Sequence, residues 1–168
     1  MLDYIFHHLR NNGQFSKRVK KRYDIFWHDP EAEIIRNARM SRYDSIEKWE
    51  DAPYWQRRLS NKYNAREFAA MHGCRVSELY WKGSDVENID FSKLPPYYVI
   101  RPTVGHSSNN VFVMDHGQNL FDKKHYSNEE LLAILKDEIA KKPYLEFLIE
   151  EFLQNEEGNH AILTDYKF

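Results

Sequence analysis

A single cysteine, Cys74, occurs in the 168-residue chain, so an internal disulfide and any cysteine-based zinc cluster are excluded. Glycine and proline are scarce too, six of each; with an apolar fraction of 42%, that rules out collagenous, low-complexity and disordered chains. Long apolar runs are missing. No stretch approaches the roughly 20 residues that a membrane-spanning helix needs, so no transmembrane segment is expected. The first ten residues carry Asp3 and two histidines and lead to no small-residue cleavage site. They do not read as a secretory signal, and the expected compartment is the cytoplasm. What is present is about one domain's length of chain, enough to bury a core.

The net charge of −2 hides a division. Up to Ser84 the chain has 16 Lys and Arg against 11 Asp and Glu; after it, 8 against 15. All four tryptophans, Trp27, Trp49, Trp55 and Trp81, fall in the basic half. A basic half suits nucleic acid, an anionic membrane or a phosphorylated ligand, and charge alone does not separate these. The acidic half argues against a simple nucleic-acid clamp, and no nucleic-acid partner is expected. The most basic stretch, Lys17 to Arg22, reads first as a solvated helix face. Eight histidines include no His-x-x-x-His pair, so no metal site is expected on them. There is no Gly-x-Ser-x-Gly elbow and Cys74 has no nucleophile signature, so no catalytic residue is assigned.

Helical spacing of Leu2, Ile5, Phe6 and Leu9, stopped by Asn11-Asn12-Gly13, predicts a first short helix. Asp29-Pro30 opens a second, running through Ile34, Ile35 and Ala38 and fading near Ser41. A third passes through Ile46 and Trp49. Ser60-Asn61 opens a fourth, which contains Lys62, Arg66 and Phe68 and is closed by Gly73. Cys74 to Trp81 is expected as strand or extended chain. Tyr97 to Arg101 and Val111 to Met114 read as adjacent antiparallel strands around a loop of small residues, and Asp115-His116-Gly117 as a turn. Ser127 with Glu130 forms a capping box for a helix carrying Leu131, Leu132, Leu135 and Ile139 on one face and ending near Lys141. Phe147 to Ile149 and Ala161 to Leu163 supply further strands. Helices first, then mixed strands and helices, predict an α+β fold with a small antiparallel sheet and a covering helix.

The chemistry-bearing constellation is a phosphate cradle. Arg101 ends a strand, and the loop Thr103 to Asn110 follows at once, with backbone N–H groups and hydroxyls suited to wrapping phosphate oxygens. In order, the chain contains LSNKYNAREF, IDFSKLP, YYVIRPTVGHSSNNVFVM, FLIEEFLQNEEG and DYKF. From about Trp55 to Phe168 these segments resemble the first part of an ATP-grasp protein, most closely the family related to teichuronopeptide biosynthesis proteins. In that family an Asp-Lys pair opens a helix and a Leu-Pro precedes a strand that ends in a basic residue. A Gly/Ser loop follows, and then a Glu-rich hinge contacts adenine.

The resemblance implies that residues 1–54 are a helical leader and 55–168 a partial ATP-grasp nucleotide-binding region. It makes Lys62 the first phosphate-binding lysine, Arg66 a cation one turn on, and Arg101 the replacement for the second lysine, with Asn61 where the family usually has Asp. Gly105, His106, Ser107, Ser108 and Asn109 become the loop over the phosphates. Glu150, Glu151, Phe152 and Leu153 become the hinge at adenine, and Glu157 the group at the ribose. The implied activity is that of a carboxylate-amine ligase of bacterial cell-surface polysaccharide biosynthesis. It would use ATP and magnesium on a carboxylate or sugar-polymer acceptor, with the magnesium ligands expected beyond Phe168. If the region is truncated, Phe152, Leu153, Tyr166 and Phe168 should be unusually exposed. A non-catalytic nucleotide-binding or scaffold module is the alternative.

Overall fold

The computed structural model describes residues 14–28, 30–105, 108–142, 144–155 and 157–161, and the chain divides into two compact units, Met1–Phe68 and Ala69–Phe168. The expected helix Leu2 to Leu9 lies outside the described residues. No helix among the described residues is long and apolar enough to cross a membrane.

In the first unit, α1 (Gln14–His28) is followed by α2 (Pro30–Asn37). Proline at the first position of α2 needs no N–H partner, and Glu31 and Glu33 at its start and Arg36 at its end complement the helix dipole. The helix stops at Asn37, short of Ser41, because side chains take the next backbone groups. Asn64 Nδ2 donates to the Ala38 carbonyl at 2.8 Å, and its Oδ1 accepts from the Met40 N–H at 3.1 Å. The single turn α3 (Ile46–Trp49) is capped by Ser45. Its carbonyl end is held by the buried Arg58, whose Nη1 donates to the Lys48 and Trp49 carbonyls, each at 2.6 Å. Trp49, fully buried, meets Phe68 edge-on with ring centroids 5.1 Å apart.

Both ends of α4 (Lys62–Met71) follow from local chemistry. The Asn61 side chain accepts from the N–H groups of Tyr63 and Asn64 at the start. At the finish Gly73 adopts φ +76°, its N–H donates to the Ala70 carbonyl, and the Cys74 N–H reaches Ala69. On this helix Glu67 accepts from the Arg42 backbone N–H and from Arg42 Nε and Nη2, at 3.1, 3.1 and 2.7 Å.

The second unit holds β1 (Leu79–Gly83), β2 (Tyr97–Pro102), β3 (Phe112–Asp115), β4 (Gln118–Asn119) and β5 (Phe147–Glu151). They form one antiparallel sheet in the order β1-β5-β2-β3-β4, so the fold is α+β. Along β2, Tyr98, Ile100 and Pro102 are buried while the residues between them are half-buried. Register sets Ile100 opposite both Phe112 and Ile149, and Tyr98 opposite Met114. These side chains share a core with Leu131 and Leu135 of α5 (Asn128–Lys141), against which Leu132 and Ile139 pack partly buried. Both halves of the Ser127/Glu130 capping box are formed.

The strands differ from expectation in several places. Strand β1 starts at Leu79 and runs on to Gly83, past Trp81. Strand β5 runs on to Glu151 because both its flanks are paired, Glu150 with Leu79 and Val99, Glu151 with Tyr98. Strand β4 was not foreseen: it is two polar residues, placed by a turn at His116-Gly117 whose φ values of +48° and +84° suit a two-residue hairpin. Of the expected last strand, Ala161 is a bend and Ile162 and Leu163 lie outside the described residues.

Leu135→Ala, at the fully buried centre of the α5 contact, should lower unfolding free energy by about 2–5 kcal/mol in urea titration, and the half-buried Leu132→Ala by less. A second outcome concerns pH. Burial alone would raise the Glu67 carboxyl, but hydrogen bonds from the Arg42 side chain and backbone outweigh it and hold the group below its ordinary range. A lowered folded-state value adds stability above the unfolded-state pKa, and that stability is lost as pH falls through the folded-state value. Glu67→Gln should therefore be less stable than wild type near neutrality and show a flatter acid limb, whereas parallel profiles would remove Glu67 as a source of acid sensitivity.

Candidate functional site

Alternation along β2 puts Val99 and Arg101 on the sheet face away from the α5 core, and register places Val113 and Glu150 opposite Val99 on the same face. The Glu150 side chain is 5% exposed, so its charge needs partners. Arg101 supplies them in a forked pair: Nη2 donates to both carboxylate oxygens at 2.9 Å, and Nε to one at 3.2 Å. The Ser77 hydroxyl donates to Oε2 at 2.9 Å. Arg101 itself keeps a third of its side chain exposed, which leaves it accessible to a ligand.

Beside this pair lies a cleft of about 270 Å³. Its floor is Val99 and Val113, its polar wall Ser77, Arg101 and Glu150, and its rim Glu151, Phe152 and Leu153. A larger opening of about 610 Å³ shares Ser77 and residues 151–153 and adds Arg75, Tyr80, Tyr97 and His160. There the Tyr97 and His160 rings stack with centroids 3.8 Å apart, and Phe152 meets His160 edge-on at 5.3 Å. Burial raises the Tyr80 phenol, and the charges of Glu78 and Glu151 raise it further. It therefore stays protonated and able to donate.

Comparison with protein-family models, with curated proteins and with solved structures gave no match.

Of the residues singled out in the sequence, Arg101 and Glu150 to Leu153 come together around the smaller cleft. Gly105 lies in the loop after β2 with φ +138°, and Ser108 has φ +55°. Gly105, Ser108 and Asn109 are not among the described residues lining either cleft, and His106 and Ser107 lie outside the described residues. Glu157 sits in an exposed turn, accepting from Asn159 Nδ2 at 3.1 Å, and does not line the clefts. Lys62 and Arg66 belong to the first unit, on the opening turns of α4, with Lys62 half-buried and Arg66 buried. Phe152 corrects the expectation of exposure: it is 5% exposed because Tyr97 and His160 pack against it. Leu153 is exposed as expected, and Tyr166 and Phe168 lie outside the described residues.

Ser77, Val99 and Val113 went unmarked in the sequence. The alternation that buries Tyr98 and Ile100 could have placed Val99 beside Arg101 on the other face. Nothing local signals Ser77, which reaches Glu150 across 73 residues of chain.

Arg101→Ala removes the forked ion pair from the buried Glu150 carboxylate and should cost about 3 kcal/mol of stability. The double variant Arg101→Ala/Glu150→Ala should lose less than the sum of the two single variants in a urea-denaturation cycle. Strict additivity would show that the pair is not coupled.

Proposed function

We propose that the cleft between the sheet face and residues 150–153 binds the base end of an adenine nucleotide. On this reading the chain is the nucleotide-binding portion of an ATP-grasp, carboxylate-amine ligase-like protein of bacterial cell-surface polysaccharide biosynthesis. One observation carries the reading: Arg101, near the end of β2, and the segment Glu150 to Leu153, named together by the family resemblance, line a single cleft with an apolar floor. Ligand sites combine mostly apolar walls with a few convergent polar groups, and this cleft lies near the small end of their usual range of roughly 300–1,000 Å³. That size suits a base better than a whole nucleotide. Val99 and Val113 would take one face of the ring, and the chain after Glu151, where strand pairing ends, would offer backbone groups to its edge. Arg101 would meet the nearest phosphate.

In the implied chemistry, ATP phosphorylates an acceptor carboxylate and an amine captures the acyl phosphate. Among the described residues no group of three or more His, Cys, Asp or Glu could hold a metal ion. The described residues therefore do not make a magnesium site, and no step is assigned through one. A non-catalytic nucleotide-binding module is favoured by one feature: Glu150 already balances the Arg101 charge, which leaves little net positive charge for a triphosphate.

Calorimetric titration of ATP and adenosine into the wild-type chain tests the cleft. Val99→Trp should fill the floor and weaken both ligands at least about tenfold. The charge-balanced double variant Arg101→Ala/Glu150→Ala should weaken ATP by about 1.5–3 kcal/mol and adenosine much less. Glu157→Ala should have a smaller effect and leave phosphate-only ligands untouched. Absence of ATP binding to the wild type, or affinity unchanged in both cleft variants, overturns the reading. Binding without phosphate release when acceptor carboxylates are supplied selects the non-catalytic alternative.

A further inference from the structure

Helix α1 combines two features that the nucleotide reading does not use. Lys17, Arg18, Lys20, Lys21 and Arg22 are all exposed, with Asp24 the one acid in residues 17–24. At 100° per residue the five cations spread over one broad arc of the helix. Val19 and Tyr23, four residues apart, stand together on the remaining arc. Apolar positions at this period normally face a core. Here Val19 is 51% and Tyr23 54% exposed.

We propose that α1 docks on an anionic lipid bilayer and lies along its surface. The segregation of arcs selects this occupant. A polyanion such as duplex DNA engages the cationic arc and has no use for the Val19 and Tyr23 arc, whereas an interfacial helix needs both. Its apolar side enters the headgroup boundary while flanking lysines and arginines reach anionic headgroups. Crossing the bilayer is not involved, since α1 has too few apolar residues to span it. Each cation near the surface adds roughly fivefold to partitioning, an effect that salt weakens.

The test is co-sedimentation of the whole chain with vesicles of phosphatidylcholine alone or mixed with phosphatidylserine, at low and high salt. Binding is expected to the mixed vesicles only and to fall at high salt. Lys20→Gln/Lys21→Gln, which keeps good helix formers, should lower partitioning by roughly tenfold or more. Val19→Ser/Tyr23→Ser should lower vesicle binding at least about fivefold, yet leave retention on a polyanion column unchanged. All four positions are exposed, and far-UV circular dichroism matching the wild type verifies folding of each variant. Three results overturn the proposal: no binding to the mixed vesicles, binding indifferent to the two lysines, or duplex DNA bound as tightly as the vesicles with no effect of Val19 and Tyr23.

Discussion

Strand β5 lies between β1 and β2 and is hydrogen-bonded to both, and most of what distinguishes the second unit depends on that insertion. One face of the strand gives Phe147 and Ile149 to the core beneath α5. The other gives Glu150 to the cleft. Because β2 and β3 already form a hairpin, the incoming strand must pair at the β2 edge in a register that puts Ile149 opposite Ile100. A shift by one residue would put Glu150 in the apolar core, away from Arg101, and carry Ile149 to the face where Arg101 lies, so the cost of burying an unpaired carboxylate fixes the register strongly.

The buried carboxylate then dictates the local electrostatics. A carboxylate at the depth of Glu150 calls for donors, and Arg101 and Ser77 supply them from two other segments. The pairing orients the guanidinium at the wall of the cleft and also neutralises most of its charge. A ligand is therefore met by an oriented donor fork more than by net positive potential, which suits a base and its nearest phosphate.

The first unit uses arginine in a similar way. Arg57 reaches Glu33, Arg58 binds the end of α3 together with Asp51, and Arg42 grips Glu67. Each of these arginines is thus matched by a carboxylate of the same half, and the positive excess is carried by other side chains. The exposed cations of α1 belong to none of these three pairs.

Local features of the chain were legible because their physics is local. Caps at Asn61 and Ser127, the glycine stop at Gly73, the apolar face of α5 and the alternation of β2 each depend on residues within a few positions of one another. Arg101 stood out locally as the basic residue before a loop of small residues, whereas the Glu150 segment was named only through the family resemblance. Local signals did not say which strand would lie between β1 and β2, that Arg101 would be claimed by Glu150, or that Ser77, Val99 and Val113 would complete the cleft. By itself the sequence determined which segments become helix or strand and which side of each is apolar, since hydrogen bonding and burial within a turn or a pleat depend on near neighbours. Only the tertiary structure decided which polar groups meet. Pairing across 49 and 73 residues of chain is settled by the register that buries the core, and no run of adjacent residues contains that information.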